Sequence, residues 1–475
     1  MVFNSFAFLV FFVIVFSLYL ALDHKRQNIM LFAASYVFYA WWDWRFLFLL
    51  AASTVIDYFC GLKIHGSRDV RERRFFLWCS IAANLGILGF FKYYNFFVSS
   101  LQSLLIRCGI SIEPPMLHII LPLGISFYTF QTMSYTIDVF RGNIAPTRKF
   151  VDFALFVSFF PQLVAGPIER ASHLLPQVSA PRTLTLEKFA QGCYLIFWGL
   201  FQKMFIADNL AKIVDPVFAA RAPYQGGMVL IALYAFAFQI YCDFSGYSNI
   251  ARGLGKCMGF DIMINFDLPY FSSNPRQFWQ RWHISLSRWL KDYLYIPLGG
   301  NRKGGLMTYR NLGLTMLLGG LWHGASWTFV VWGLYHGVML VIHRATEPFL
   351  KNIRLPAFPL ISKPLALFRT VFFFHLVCLG WLFFRSGSIS QASAMLHAMI
   401  YNFYVPQTDI LPVLGDVVFF IWFLIVVELA QFRTRDQLFI LKANLFMKAL
   451  FFAVCCYLIV KKGIPNGQAF IYFIF

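Results

Sequence analysis

"VFNSFAFLVFFVIVFSLYLAL", residues 2–22, carries no charged side chain, and the first charges follow directly in "DHKRQN", residues 23–28. An α-helix rises about 1.5 Å per residue, so a run of this length matches the roughly 30 Å hydrocarbon layer of a bilayer. No positive residue precedes it, and the Lys and Arg come after it. That order predicts a retained membrane helix with its N-terminus outside, not a cleaved signal peptide.

The rest of the chain extends this reading. Of 475 residues, 59% are hydrophobic, 20% aromatic and 13% charged, with 58 phenylalanines, a composition that a soluble domain cannot bury. The net charge of +19 invites a nucleic-acid reading. The cations, however, fall in short runs between apolar segments, such as "KIHGSRDVRERR" (63–74) and "RGNIAPTRK" (141–149), where the positive-inside rule places them. No basic face on a soluble scaffold is visible, so nucleic acid is not an expected partner, whereas membrane lipids are. The nine cysteines show no CxxC pair and lie mostly in apolar runs, which reads as packing and not as a metal cage or disulfide framework.

Counting apolar runs predicts about eleven to thirteen transmembrane or re-entrant helices in one membrane-embedded domain, residues 1–475, with no linker or internal repeat. The segment "FVSFFPQLVAGPIER" (156–170) places Pro161 and Pro167 in an apolar run. This predicts broken backbone, tolerable at membrane depth only where protein or water satisfies it.

Residues 251–310 form a polar, amphipathic, interfacial segment. Within "NPRQFWQRWHISLSRWLKDYL" (274–294), Asn274 is a plausible N-cap and Pro275 a first helical residue, and the periodicity predicts a helix to about Leu294. Phe278, Trp282, Leu286, Trp289 and Tyr293 share one face of that helix, and Arg276, Arg281, Arg288 and Lys291 the opposite one, with His283 near the border. Two readings stand side by side: arginines meeting lipid phosphates, or a basic face receiving an anionic substrate such as a nucleotide-bearing acyl donor.

"LGGLWHGASW" (318–327) puts His323 inside otherwise apolar sequence. Ionisable groups at such depth are functional candidates, although a carbonyl-bonded packing histidine is the plain alternative. Gly319, Gly320 and Gly324 allow a bend and a close approach, and Trp322 and Trp327 could wall a dry pocket. A neutral imidazole, with an ordinary pKa of about 6.5, suits general-base activation of an alcohol. Asp243, Ser245, Glu169 and Gln131 are further embedded polar groups that could orient a base, line a passage or glue helices together. A zinc site built from His323, His336 and His343 would need the helix to break at Gly324, and no metal is expected. A Ser-His-Asp triad lacks its GxSxG elbow. On these residues alone, a proton-coupled transporter or lipid flippase competes with an enzyme.

"FWQRWHISLSRWLKDYLYIPLGGNRKGG" (278–305) followed by "NLGLTMLLGGLWHGASWTFVVWGLYHG" (311–337) resembles the signature region of the membrane-bound O-acyltransferase family, in its bacterial alginate O-acetylase-like branch. "LPLGISFYTFQTMSYTIDVFRG" (121–142), "FFPQLVAGPIER" (159–170), "YCDFSGYSNIARGLGKCMGF" (241–260) and the closing "FIYFIF" (470–475) resemble further blocks of that branch. The resemblance implies an all-α polytopic protein, a ring of helices around a thin central layer entered by funnels from both sides. It implies an O-acetyltransferase that moves acetyl from cytoplasmic acetyl-CoA, a substrate and not a bound cofactor, across a bacterial inner membrane for O-acetylation of an extracytoplasmic polysaccharide.

By the same resemblance His323 is the catalytic histidine and His283 the second family histidine. Beside them, Trp322, Trp327, Arg281, Arg288, Lys291 and Asp243 are expected from the residues themselves as substrate or donor contacts. A periplasmic partner of the SGNH-hydrolase type is implied as well. Alginate-type exopolysaccharide is the first choice of polymer. The short "FRTRDQLFILKAN" (432–444) keeps cellulose and peptidoglycan open.

Overall fold

The computed structural model describes residues 1–352, 359–403, 407–465, 467 and 469–471, so residues 472–475 of the closing block lie outside the described residues. No strand occurs among the described residues, and the all-α expectation holds. The helices are α1 (Phe6–Ala21), α2 (His24–Ala40), α3 (Leu47–Gly66), α4 (Val70–Leu88), α5 (Tyr94–Arg107), α6 (Ile125–Arg141), α7 (Phe150–Ser158), α8 (Ala171–Ser179), α9 (Leu186–Phe201) and α10 (Asp208–Ala219). They continue with α11 (Gly226–Cys257), α12 (Pro275–Arg281), α13 (Ile284–Leu290), α14 (Gly304–His323), α15 (Trp327–Asn352), α16 (Pro359–Arg385), α17 (Ile389–Tyr401), α18 (Gln407–Thr434), α19 (Phe439–Lys442) and α20 (Leu445–Lys462).

Among the described residues, Trp44–Gly66, Val70–Arg107, Gly226–Cys257, Lys363–Arg385 and Ile410–Thr434 are long and apolar enough to cross a membrane, and α1 is a shorter apolar helix. The remaining segments counted from sequence lie on helices that are shorter or carry polar side chains. The burial of the long apolar segments differs: 72% of the apolar window of Gly226–Cys257 is buried, against 17% of that of Val70–Arg107.

The chain falls into two compact units. One comprises residues 1–196 and 250–263, the other 197–249 and 264–475. In the first, α3, α4 and α6 close around Asp57, whose carboxylate accepts from the Ser80 hydroxyl and from Asn84 Nδ2 at 2.8 Å. Asn84 Oδ1 in turn accepts from Ser53 at 3.0 Å and Thr132 at 3.1 Å, so the buried carboxylate is satisfied by hydrogen bonds and acts as helix glue. The proline-broken segment behaves as expected: residues after α7 leave helical form and are buried from Phe159 to Ala165. The backbone there and in the last turn of α7 finds protein partners, with Phe160 N–H donating to Ser35 Oγ at 3.1 Å and Phe156 O accepting from Gln131 at 2.6 Å.

In the second unit the hairpin of α14 and α15 is held backbone to backbone. A methyl group on Gly320 would strike Phe329 O and lie 2.9 Å from Gly333 Cα, and one on Gly333 would strike Met316 O. Glycines on both sides of this contact let the helices approach as far as their main chains permit. The chain between them opens at Gly324, where any side chain would collide with the Phe329 ring.

The amphipathic helix expected from Asn274 to about Leu294 is corrected. It starts as read, with Asn274 Oδ1 accepting from Gln277 N–H at 2.9 Å and Pro275 at the first position. It then ends at Arg281. Trp282 is extended, and His283 adopts a left-handed backbone at φ 43 and ψ 55 before α13 begins. The cause is tertiary: Arg281 O accepts from Asp267 N–H at 3.0 Å, and Ile284 N–H donates to Asn265 O at 2.9 Å, so residues 265–267 take over hydrogen bonds that a continuous helix would make internally. A π-turn at Lys291–Tyr295 ends the segment. Phe278, Trp282, Leu286 and Trp289 are buried all the same, so the apolar face survives although the helix does not.

Candidate active site

His323 is the last residue of α14 and is 3% exposed. Its ring stands edge-on to Trp322 and Trp332, with centroids 5.0 Å away in each case, and 5.5 Å from Phe384. His283, fully buried at the break between α12 and α13, lies 6.4 Å from His323 between ring centroids. The two histidines that the resemblance singles out, 40 positions apart in sequence, therefore share one aromatic chamber.

His283 does not sit at the border of a basic stripe, as the helical wheel had placed it. The left-handed kink turns it inward. For a β-carbon-bearing residue that conformation costs about 1–2 kcal/mol, and strain of this kind collects at functional sites. Its Nδ1 is 3.3 Å from Asn265 Oδ1, which also accepts from the Ser285 hydroxyl at 2.7 Å, while Asn265 Nδ2 donates to Ser248 at 3.2 Å. An amide oxygen facing Nδ1 selects the Nδ1–H tautomer, so Nε2 carries the lone pair. Burial pushes the imidazole down to about 3, which makes it a neutral group throughout the physiological range. Phe244 stands edge-on to it, with centroids 4.7 Å apart.

Beside this chamber opens a cavity of about 890 Å³. Ile284, which follows His283 in the chain, lies on its wall, as does Trp279. Arg276, Arg288, Lys291, Arg302 and Arg344 also line it, against the single carboxylate of Glu347. Cations on concave, partly apolar walls concentrate the local potential and suit a polyanionic group such as a diphosphate. Of the cations expected at the site, Arg288 and Lys291 line this wall and Arg281 does not.

The other site residues separate. Trp322 is buried beside both histidines, 6.0 Å from His283. Trp327 is 54% exposed at the start of α15, and Trp332 takes the role of aromatic wall expected of it. Asp243 lies away from the cavity. Its carboxylate pairs with Lys203 at 2.8 Å and accepts from Ile471 N–H at 2.6 Å. Glu169, in the first unit, pairs with His173 Nδ1 at 2.7 Å, which holds the imidazole above its ordinary value. Among the described residues no three His, Cys, Asp or Glu are grouped to hold a metal.

Sequence reasoning missed Asn265, Trp332, Arg302 and Arg344. For Trp332 a signal existed: it lies nine residues after His323, beyond a glycine break that folds α15 back along α14. Asn265 carried none, because its role depends on a loop meeting a kink.

Residues 139–383, just over half of the chain, match the model of the membrane-bound O-acyltransferase family. Over 403 residues the chain is 49% identical to a protein of Azotobacter vinelandii described as "Probable alginate O-acetylase AlgI", covering 84% of this chain and 78% of the relative. It is 47% identical over 403 residues to a Pseudomonas putida protein of the same description, covering 84% and 80%. It is 39% identical over 399 residues to the "Peptidoglycan O-acetyltransferase" of Helicobacter pylori, covering 78% and 73%. These matches set aside the transporter and flippase reading. With its apolar helices and paired histidines, this chain is a multi-pass membrane acyltransferase and belongs to the membrane-bound O-acyltransferase family.

Proposed function

We propose that this chain takes an acetyl group from cytoplasmic acetyl-CoA and passes it through a bacterial inner membrane for O-acetylation of an extracytoplasmic polysaccharide. The observation that carries the reading is the pairing of His283 and His323, 6.4 Å apart in an aromatic chamber, next to a cavity lined by five cations. Phosphates of the donor rest on Arg276, Arg288 and Lys291, and the thioester reaches the chamber. His323 removes the proton from an acceptor hydroxyl as its oxygen attacks the thioester carbonyl, and the proton then leaves with the coenzyme A thiol. His283, neutral and fixed by Asn265, positions the reacting groups.

Relatives described as alginate O-acetylases favour an alginate-type exopolysaccharide as the final acceptor, and the Helicobacter pylori relative makes peptidoglycan the second choice. A periplasmic partner of the SGNH-hydrolase type completes the transfer, so that the direct acceptor is a partner hydroxyl or the polymer itself. The test is His323→Ala and His283→Ala in the native cell, followed by ester-linked acetate on each envelope polymer. Loss of acetate from one polymer identifies the substrate, and unchanged acetate on all of them in His323→Ala refutes the assigned base. In parallel, purified wild-type protein must release coenzyme A thiol from acetyl-CoA when acceptor is supplied.

A further inference from the structure

His336, on α15, is fully buried, and neither of its ring nitrogens has a hydrogen-bond partner among the described residues. Leaving a buried polar atom unpaired costs about 1–3 kcal/mol, so two on one ring call for a reason. The ring is enclosed by Phe278 at 6.0 Å, Trp279 at 5.2 Å and Trp332 at 4.8 Å between centroids. On its remaining side Gly380 approaches: a methyl group there would lie 2.9 Å from His336 Nε2. The indole N–H groups of Trp279 and Trp332 are likewise buried without a partner among the described residues.

These groups are arranged in order. Trp279 is on the wall of the basic cavity and touches His336, His336 touches Trp332, and Trp332 stands 5.0 Å from the catalytic His323. A file of unsatisfied polar atoms thus runs from the cavity wall to the reacting centre. We infer that His336, with the indole N–H groups of Trp279 and Trp332, receives the amide-bearing arm of the acyl-thioester donor. This inference rests on the acetyl-CoA reading above.

The chemistry matches at both ends. A neutral imidazole offers one N–H and one lone pair, and each indole offers one N–H. The pantetheine arm carries two amides, each with a carbonyl that accepts and an N–H that donates. Such a site rewards an amide-bearing arm and leaves its own polar atoms unpaired when a plain hydrocarbon thioester enters, which is how a buried polar site discriminates. Trp279, with one side on the cavity, is the group that the arm meets first, and its N–H stays within reach of the arm as the ring turns aside. His336 on this view binds substrate and takes no part in proton transfer.

The experiment measures binding to the full-length protein in detergent with two probes. Coenzyme A carries phosphates and arm, whereas 3′-phosphoadenosine 5′-diphosphate, the arm-free probe, carries the same three phosphates without the arm. Wild-type protein is expected to bind coenzyme A at least about tenfold more tightly, the gain of one or two buried hydrogen bonds. His336→Phe should erase that advantage and leave affinity for the arm-free probe within about twofold, which also reports that the fold is intact. His336→Asn, which keeps one donor and one acceptor, should retain most of the advantage, and Trp279→Phe should lose part of it.

Equal affinity of the wild type for both probes, an advantage that survives His336→Phe, or equal weakening of both probes by that change overturns the inference. In the first two cases, binding of the arm-free probe still supports a phosphate-bearing donor. Failure of the wild type to bind either probe removes the donor reading and this inference together.

Discussion

Asn265 Oδ1 faces His283 Nδ1 at 3.3 Å, and the main chain of Asn265 also accepts from Ile284 N–H, so one loop residue fixes both the kink and the tautomer of the second family histidine. Asn265→Ala should lower kcat at least about tenfold, a loss of about 1.4 kcal/mol in transition-state stabilisation, with little change in KM. Asn265→Asp adds a test in pH. The wild-type imidazole, held at about 3, stays neutral from pH 5 to 8 and contributes no break to the rate profile there. A carboxylate at position 265 favours the protonated imidazole and raises that value, so activity of the variant should fall as pH drops through a new acidic break while the wild type stays level. A pH–rate profile of both proteins decides it, and superimposable profiles would remove the link between Asn265 and His283 protonation.

Gly320 and Gly333 set the approach of α14 and α15, and with it the place of His323 at the end of α14. Gly320→Ala forces a methyl group onto Phe329 O, and overpacking of this kind costs about 1–3 kcal/mol. A fall of several degrees in the unfolding midpoint is expected, together with loss of activity beyond the loss of folded protein, because His323 shifts against Trp332. Gly305, in the first turn of the same helix, meets nothing within 4 Å, so Gly305→Ala is the matched control and should leave both readouts unchanged.

What the sequence made legible follows from how local each signal is. The cap at Asn274, the apolar face from Phe278 to Trp289 and the broken backbone after Ser158 depend on neighbours within a turn or two, and all appear as read. The kink at His283 does not, because its hydrogen bonds come from residues 265–267, and no helical wheel contains them. Trp327 is expected as an aromatic wall from its nearness to His323 in sequence. Trp332 holds that place because the Gly324 opening and the Gly320–Gly333 contact fold α15 back along α14. The histidine pair was legible only through family resemblance, since periodicity gives no distance between positions 283 and 323.

The cavity separates cations that one helical stripe had grouped. Arg276, Arg288 and Lys291 line it and Arg281 does not, while Arg302 and Arg344 join from other elements. Arg288→Glu should raise KM for acetyl-CoA at least about tenfold with kcat largely kept, the pattern for lost binding that is equal in ground and transition states. Raising the ionic strength should weaken the wild type more than the variant, because the attraction being screened is already gone from the variant. Steady-state kinetics at two salt concentrations test both statements, and a fall in kcat at unchanged KM would contradict a donor-phosphate role for this wall.

Asp243, expected from sequence among the substrate or donor contacts, sits in an ion cluster. Lys203 Nζ is 2.8 Å from carboxylate oxygens of both Asp243 and Asp208, and Asp243 also holds Ile471 N–H. Removing the lysine leaves two buried carboxylates together, so Lys203→Met should be the more damaging change, on the order of the 3–5 kcal/mol that follows breaking a buried pair. Asp243→Asn leaves Lys203 paired with Asp208 and should be milder, and adding it to Lys203→Met should restore part of the lost stability. Neither change is expected to raise KM for acetyl-CoA in the fraction that folds. Melting curves of the two single variants and the double variant, with KM measured on each, distinguish the roles: a KM effect of Asp243→Asn at unchanged stability would return this residue to the substrate, and the expected order of stabilities keeps it as the anchor of residues near the C-terminal end.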